Sequence, residues 1–201
     1  AYHNECIGSL SLGVKIGETY TDYSQGSVRQ TGGTYDLALS GSGFFTVSVT
    51  DKAGEVHTRY TRDGRFHLTK DGLLVDADGN AVQGQNGNIT IDPSSKNVSI
   101  SATGQITADG ELVDTLNIVD FEDYDYLKKY GDTMYEPVDG ATTKDAEGEI
   151  LQGYTEQSNV NVVREMVDMI TITRAYEASQ KVIHSYDSML DKSVNQVGAL
   201  K

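Results

Sequence analysis

Two hundred and one residues suffice for one core of ordinary size and an extension beyond it. Thirty acidic against sixteen basic side chains leave a formal net charge of −14, which repels a nucleic acid or an anionic bilayer surface, so neither is expected as a partner. The single cysteine, Cys6, excludes an internal disulfide and a multi-cysteine metal site, and no apolar run approaches the ~18 residues needed to cross a bilayer.

In chain order, residues 1–34 read as an extended lead-in laid along a domain, with one alternating stretch, Leu10, Leu12, Val14 and Ile16, that predicts a strand. The chain opens at Ala1 with no basic-then-apolar leader. The expectation is therefore a product without a Sec signal, preceded in the full protein by a further segment. Residues 35–157 predict a mainly β, antiparallel domain. Its short β-rich runs are Leu37–Leu39, Phe44–Val49, Leu73–Val75, Ile89–Ile91, Val98–Ile100 and Leu116–Val119. Between them stand Asp63-Gly64, Asp71-Gly72, Asp78-Gly79, Asn86-Gly87 and Asp109-Gly110, dipeptides that supply the backbone angles of tight hairpins, so sequential pairing is expected. Residues 121–150 carry Tyr124, Tyr126, Tyr130 and Tyr135 among acids and glycines, and read as irregular loops with at most one short strand. From Asp120 to Glu149, ten carboxylates face Lys128, Lys129 and Lys144, the composition of a solvated surface.

Residues 158–201 predict one long C-terminal α-helix of coiled-coil type. An apolar residue recurs at every seventh position, Val162, Met169, Tyr176, Ile183, Leu190 and Val197, with no proline and no glycine between them. A helix over about Asn161 to Val197 would be roughly 55 Å long at ~1.5 Å per residue. Ser158, Asn159 and Asn161 offer N-cap oxygens, Glu165 suits the positive end of the macrodipole, and Gly198 is a plausible stop. A sustained heptad seam calls for a partner helix, and no other segment repeats in this way, so the partner is expected outside the chain. The second stripe is imperfect. Met166, Thr173, Gln180, Asp187 and Val194 are apolar only at the ends, while Ile172 and Tyr186 stand one residue earlier. That mixture suits a helix with several different neighbours; folding back onto the β domain is the alternative, and the helix length argues against it.

No constellation points to catalysis or to a cofactor. His3, His57, His67 and His184 are scattered, and His57 and His67, even if they met across neighbouring strands, lack a third ligand motif, so no metal site is expected. Gly41-Ser42-Gly43 has the wrong spacing for a nucleophile elbow. Cys6 has no neighbouring base. Asp76-Ala77-Asp78-Gly79-Asn80 lacks the glycine and glutamate of a calcium loop and reads as a hairpin turn.

Three ordered motifs carry a resemblance. Tyr35-Asp36-Leu37-Ala38-Leu39-Ser40-Gly41-Ser42-Gly43-Phe44-Phe45 is followed by Tyr60-Thr61-Arg62-Asp63-Gly64-Arg65-Phe66, and the chain ends with Leu151-Gln152-Gly153-Tyr154, Ser158-Asn159-Val160-Asn161-Val162 and Arg174-Ala175-Tyr176-Glu177. Together they resemble the signatures of bacterial flagellar rod and hook proteins. Read physically, Gly41 and Gly43 turn the backbone into a strand anchored by Phe44 or Phe45, while Tyr60 and Phe66 flank the Asp63-Gly64 turn, with Arg62 and Arg65 outward.

The resemblance implies a non-enzymatic structural subunit of the flagellar basal body. It would be exported by the flagellar type III apparatus and stacked with other rod or hook subunits in a helical polymer, its terminal helices innermost. The N-terminal helix of that pattern and its asparagine-rich signature are missing from this sequence. Size favours a rod protein over a hook subunit, and the ending is similar to the distal rod type, with the proximal type left open. A different class of reading is a non-catalytic cell-wall or carbohydrate-binding β domain with a coiled-coil oligomerisation tail. With no tryptophan and four phenylalanines, its binding platforms would have to be tyrosines.

Overall fold

The computed structural model describes residues 17, 19–51 and 54–197. His3, Cys6, the alternating stretch Leu10 to Ile16 and the stop at Gly198 lie outside these residues. The chain is mainly antiparallel β followed by one long helix. The first strands are β1 (Val28–Gln30), β2 (Leu37–Ser40), β3 (Phe44–Thr50), β4 (Val56–Thr61), β5 (His67–Leu68), β6 (Leu74–Val75), β7 (Ala81–Gly84), β8 (Gly87–Asn88) and β9 (Val98–Ile100). They are followed by β10 (Gln105–Ala108), β11 (Glu111–Thr115), β12 (Ile118–Phe121), β13 (Leu127–Tyr130), β14 (Met134–Pro137), β15 (Thr143–Asp145), β16 (Glu149–Gln152), β17 (Tyr154–Glu156) and the helix α1 (Val162–Lys192).

Strand β3 is the centre. Its residues Phe44 to Ser48 are buried in succession, as a strand covered on both faces requires. It pairs with β4 along one edge and with β7 and β12 along the other. Because side chains alternate along a strand, Phe44 and Phe45 serve opposite faces, and both act as anchors. Phe45 joins Leu37, Leu39, Val47, Phe66, Leu74 and Val82 in the main core, its ring meeting Phe66 edge-on at 5.2 Å. Phe44 joins Phe121 and Leu127 in a second cluster, ringed by Tyr23, Tyr60, Tyr124 and Tyr135.

Several expectations are corrected. Residues 121–150 are not loops; they hold β13, β14, β15 and the start of β16. Leu127 and Met134 turn inward, and Arg59 of β4 clamps the β13–β14 hairpin by an ion pair to Glu136 at 3.1 Å and by lying over the Tyr130 ring at 4.8 Å. Aromatic and charged cross-strand pairs do there what an aliphatic alternation does elsewhere. Ile89 and Ile91 are fully buried without forming a strand of their own; Thr90 between them bridges Leu73.

Four of the five turn dipeptides close hairpins, and at Asp109-Gly110 both residues take the positive φ that a tight primed turn demands. The fifth does not, since β4 and β5 are unpaired. Pairing is also less sequential than expected: β2 pairs with β16, and β1, inside the lead-in, pairs with β17. These two long-range ladders bring the chain's early and late segments to one edge, where the helix departs.

Helix α1 runs 31 residues, about 46 Å at ~1.5 Å per residue, and relaxes into a π-type turn over Ser193–Val197. None of its residues is buried. Its stability and that of the β domain are thus separable. Phe45→Ala should cost about 3–5 kcal/mol of unfolding free energy, whereas Ile183→Ala in the isolated subunit should leave it within about 0.5 kcal/mol. Urea melts of the two variants check both.

Candidate functional site

The family-like motifs at residues 35–45 and 60–66 and those at residues 151–162, some eighty-five or more residues further on, converge at the root of the helix. Arg62, at the end of β4, is the hub. Its Nε donates to Glu156 Oε2 at 3.0 Å, and its Nη1 donates to the carbonyl oxygens of Gly41 at 2.9 Å and Gly43 at 2.8 Å. Positive φ at Gly41 and Gly43 lets that short turn present both carbonyls, and a Cβ at Gly43 would press on Ala146 at 2.8 Å. Arg62 therefore points inward, against the outward placement expected from sequence. Arg65 does lie outward, forked onto Asp63 with its shortest contact at 2.6 Å. Burial raises the Asp63 carboxyl, but the Arg65 hydrogen bonds and charge outweigh it and hold Asp63 below its usual value.

Glu156, in β17, accepts a second bond from the Gly26 N–H at 2.9 Å, which fastens the strap over residues 20–26 to the same hub. Gln25 ties that strap to Leu39 O at 2.8 Å and to Gly41 N at 3.2 Å. Asn159 closes it from the other side, donating to Asp22 O at 3.1 Å and Ser24 O at 3.0 Å. Asn161 then caps the helix, its Oδ1 accepting from Val163 N at 3.1 Å and Arg164 N at 3.2 Å. Ser158 Oγ accepts from Val160 N at 3.2 Å, so the three polar residues of that motif take three different jobs.

The remaining motif residues shape the floor. Thr61 Oγ1 donates to Thr133 O at 2.8 Å and accepts from Asp63 N at 3.1 Å. A Cβ at Gly64 would overlap the Leu37 carbonyl oxygen, so glycine is required there by close approach. Phe66 enters the main core and Tyr60 meets Phe121 edge-on at 4.9 Å. Beneath the turn, Asp120 is fully buried; its Oδ1 accepts from Tyr124 Oη and Phe121 N, each at 2.8 Å, and its Oδ2 faces Lys144 Nζ at 3.1 Å. Burial raises Asp120, but these partners win and keep it below the usual carboxylate value. Burial and the same carboxylate push the Tyr124 phenol up to about 12.

An open cleft of about 1000 Å³ lies beside this root, edged by Tyr20, Tyr23, Arg29, Tyr135 and Asn159. The charged groups at the hub are matched to one another, and the arrangement is that of a joint. The seam residues themselves stand in solvent: Val162, Met169, Tyr176, Ile183 and Leu190 are 59–67% exposed, and the Val197 side chain lies outside the described part. His57 and His67, on β4 and β5, are not brought together, because those strands do not pair. The turn at Asp76 to Asn80 is a hairpin, its carboxylate bound to Asp78 N and Asn80 N at 2.9 and 2.8 Å.

Residues 38–108 match the flagellar hook protein FlgE/F/G D1 domain, and residues 151–197 match the flagellar basal body rod FlgEFG protein C-terminal region. The chain is 36% identical to flagellar basal-body rod protein FlgG of Buchnera aphidicola subsp. Schizaphis graminum, over 91% of this chain and 73% of that protein. It is 34% identical to FlgG of Agrobacterium fabrum, over 90% of this chain and 71% of that protein, and 34% identical to flagellar basal-body rod protein FlgF of Caulobacter vibrioides, over 89% and 72%. The chain belongs to the flagellar rod and hook protein family.

Within this family member an ion pair joins the two matched stretches, Arg62 from the first and Glu156 from the second, beside the pairing of Ala38 with Leu151. Glu156 and Gly26 were not legible as site residues, since nothing in their local pattern names a partner 94 or 130 residues away, and Gln25 was missed because its partners at Leu39 and Gly41 are backbone groups that no side-chain pattern marks. Removing the guanidinium by Arg62→Met should leave Glu156 without its ion-pair partner and cost about 1.5–3 kcal/mol, read as a lower urea midpoint. Asp120 gives a pH signature. Its folded value lies below its unfolded one, so its contribution is complete above pH about 4 and is lost as pH falls through the folded value. Acid unfolding of Asp120→Asn should therefore be flatter below pH about 4 than that of the parent, as fluorescence-monitored acid titration would register.

Proposed function

We propose that this chain is a structural, non-enzymatic subunit of the flagellar basal-body rod that polymerises with other rod subunits through its C-terminal helix. The observation that carries the reading is the state of α1. It bears thirteen large apolar side chains exposed to solvent and none buried, on a helix nearly three times the usual length of about 11–12 residues. Each square ångström of that surface covered on assembly contributes about 25 cal/mol, and the rigid root at Arg62 and Asn161 aims the helix at its neighbours.

The distribution of the apolar residues supports more than one neighbour. At about 100° per residue, Val163, Met166, Val167 and Ile170 lie to one side of the seam in the first half of the helix. From Ile172 onward, Ile172, Val182, Tyr186 and Met189 lie to the other side. A helix with a single partner would keep one side throughout. The hook reading draws on the hook-protein match over residues 38–108, whereas the relatives named above are rod proteins over most of their length, which favours the rod. Export through the flagellar type III apparatus belongs to the same proposal.

Met169→Asp or Ile183→Asp in the full-length protein should abolish swimming while the β domain keeps its unfolding midpoint. Normal motility in soft agar with either substitution would sink the assembly role of the seam.

A further inference from the structure

The tip of the β3–β4 hairpin carries a donor set that the assembly role does not use. Val49 faces His57 and Thr50 faces Val56 across the ladder, and beyond them Asp51 N donates to Glu55 O at 2.9 Å. Glu55 directly precedes β4, which carries His57, and Asp51 follows β3 opposite Glu55, so the two-residue alternation continued one step past the ladder places all three side chains on one face. Their donor atoms lie within 4.8 Å of one another. We propose that Asp51, Glu55 and His57 form a binding site for a borderline divalent cation of the Zn²⁺ class, with water completing the coordination.

The distances are those of an ion pair and fit a set of co-ligands equally well. His57 Nε2 lies 3.5 Å from Asp51 Oδ2. That is wide for an N–H···O hydrogen bond, which centres near about 2.9–3.0 Å. It is the separation of two donors held on one tetrahedral ion by bonds of about 2.0–2.1 Å, roughly 3.4 Å apart. Asp51 is set in advance, because its Oδ1 accepts the Glu55 N–H at 3.0 Å and its Oδ2 is the oxygen turned toward the imidazole. Glu55 Oε2, 3.9 Å from the same nitrogen on a side chain 76% exposed, closes the set by a small rotation. One imidazole and two carboxylates suit Zn²⁺ better than Ca²⁺, which takes six to eight oxygens.

The test is a calorimetric titration of the intact chain with ZnSO₄, with histidine ring ¹⁵N shifts as the structural readout. One site per chain is expected, with the His57 ring nitrogens shifted. Affinity should fall by about tenfold or more in His57→Ala and in Glu55→Gln, and should hold in His3→Ala, His67→Ala and His184→Ala. Thermal melts without metal confirm that each variant is folded, and Glu55→Gln, which keeps the backbone bonds of the turn, reports independently of any change at Asp51. The proposal is overturned if millimolar Zn²⁺ leaves the His57 ring unshifted, if His57→Ala binds as tightly as the parent, or if CaCl₂ competes on equal terms. The last outcome would mark the carboxylates as a diffuse counter-ion patch.

Discussion

One guanidinium holds together pieces of chain that sequence keeps far apart. Arg62 spans the Gly41–Gly43 turn and Glu156, and through Glu156 it reaches the strap at Gly26. These are charge-assisted bonds on a planar donor, directional as well as strong, and they fix the last strand before the helix. The geometry matters because the helix is a lever. Over about 46 Å, an angular slack of roughly 10° at the root would displace the far end by about 8 Å, more than a full helical turn of ~5.4 Å. Two knobs-into-holes surfaces could not find a common register with that much play. A joint built from matched ionic and backbone partners holds the last strand and the Asn159 linker in place, limiting that slack without burying any of the helix.

What could be read from sequence follows the range of the interaction. The long helix, its cap at Asn161 and four of the five Asp-Gly and Asn-Gly hairpins were legible because each is written within a few residues. The pairing of β2 with β16 and of β1 with β17 was not, since no spacing encodes a partner more than a hundred residues away. Arg62 shows the same limit. A charged residue beside a turn reads as solvated by default, and it points inward only because two glycines turn their carbonyls toward it. The misreading of residues 121–150 has a different cause. There the stabilising side chains are tyrosines and ion pairs around Phe44 and Arg59, so the aliphatic alternation that marks a strand is nearly absent.

The two halves of the molecule also divide the physical labour by polarity. The β domain buries its apolar residues and leaves most of the acidic run from Asp120 to Glu149 in solvent, with Asp120 itself buried against Lys144. The helix does the reverse, exposing apolar residues along its whole length. A free subunit of this kind would associate indiscriminately if hydrophobic area were the sole term. The net charge of −14 opposes that, because any random encounter brings two strongly acidic bodies together. The repulsion is long-ranged and screened by salt, with a reach of about 8 Å at physiological ionic strength, whereas the apolar attraction acts at contact. Only an approach that aligns helix with helix gains enough contact to overcome it.

The change of apolar side along α1 then bears on the form of the assembly. If one partner covers Val163, Met166, Val167 and Ile170, the residues on the other side of the seam, Ile172, Val182, Tyr186 and Met189, remain bare. A closed dimer made through either set would still expose the other and would keep recruiting. Such a surface is heterologous: each copy offers one patch and needs a different one, which generates a ring if the rotation closes and an open helix if it does not. Under the proposed assembly role, a subunit with two unlike apolar faces on its helix is incomplete as a monomer and as a dimer, and it reaches saturation only where neighbours lie on both sides. A tube that placed neighbours on both sides of α1 would meet that condition, and it would account for why a helix of this length carries so much exposed apolar surface in the free chain.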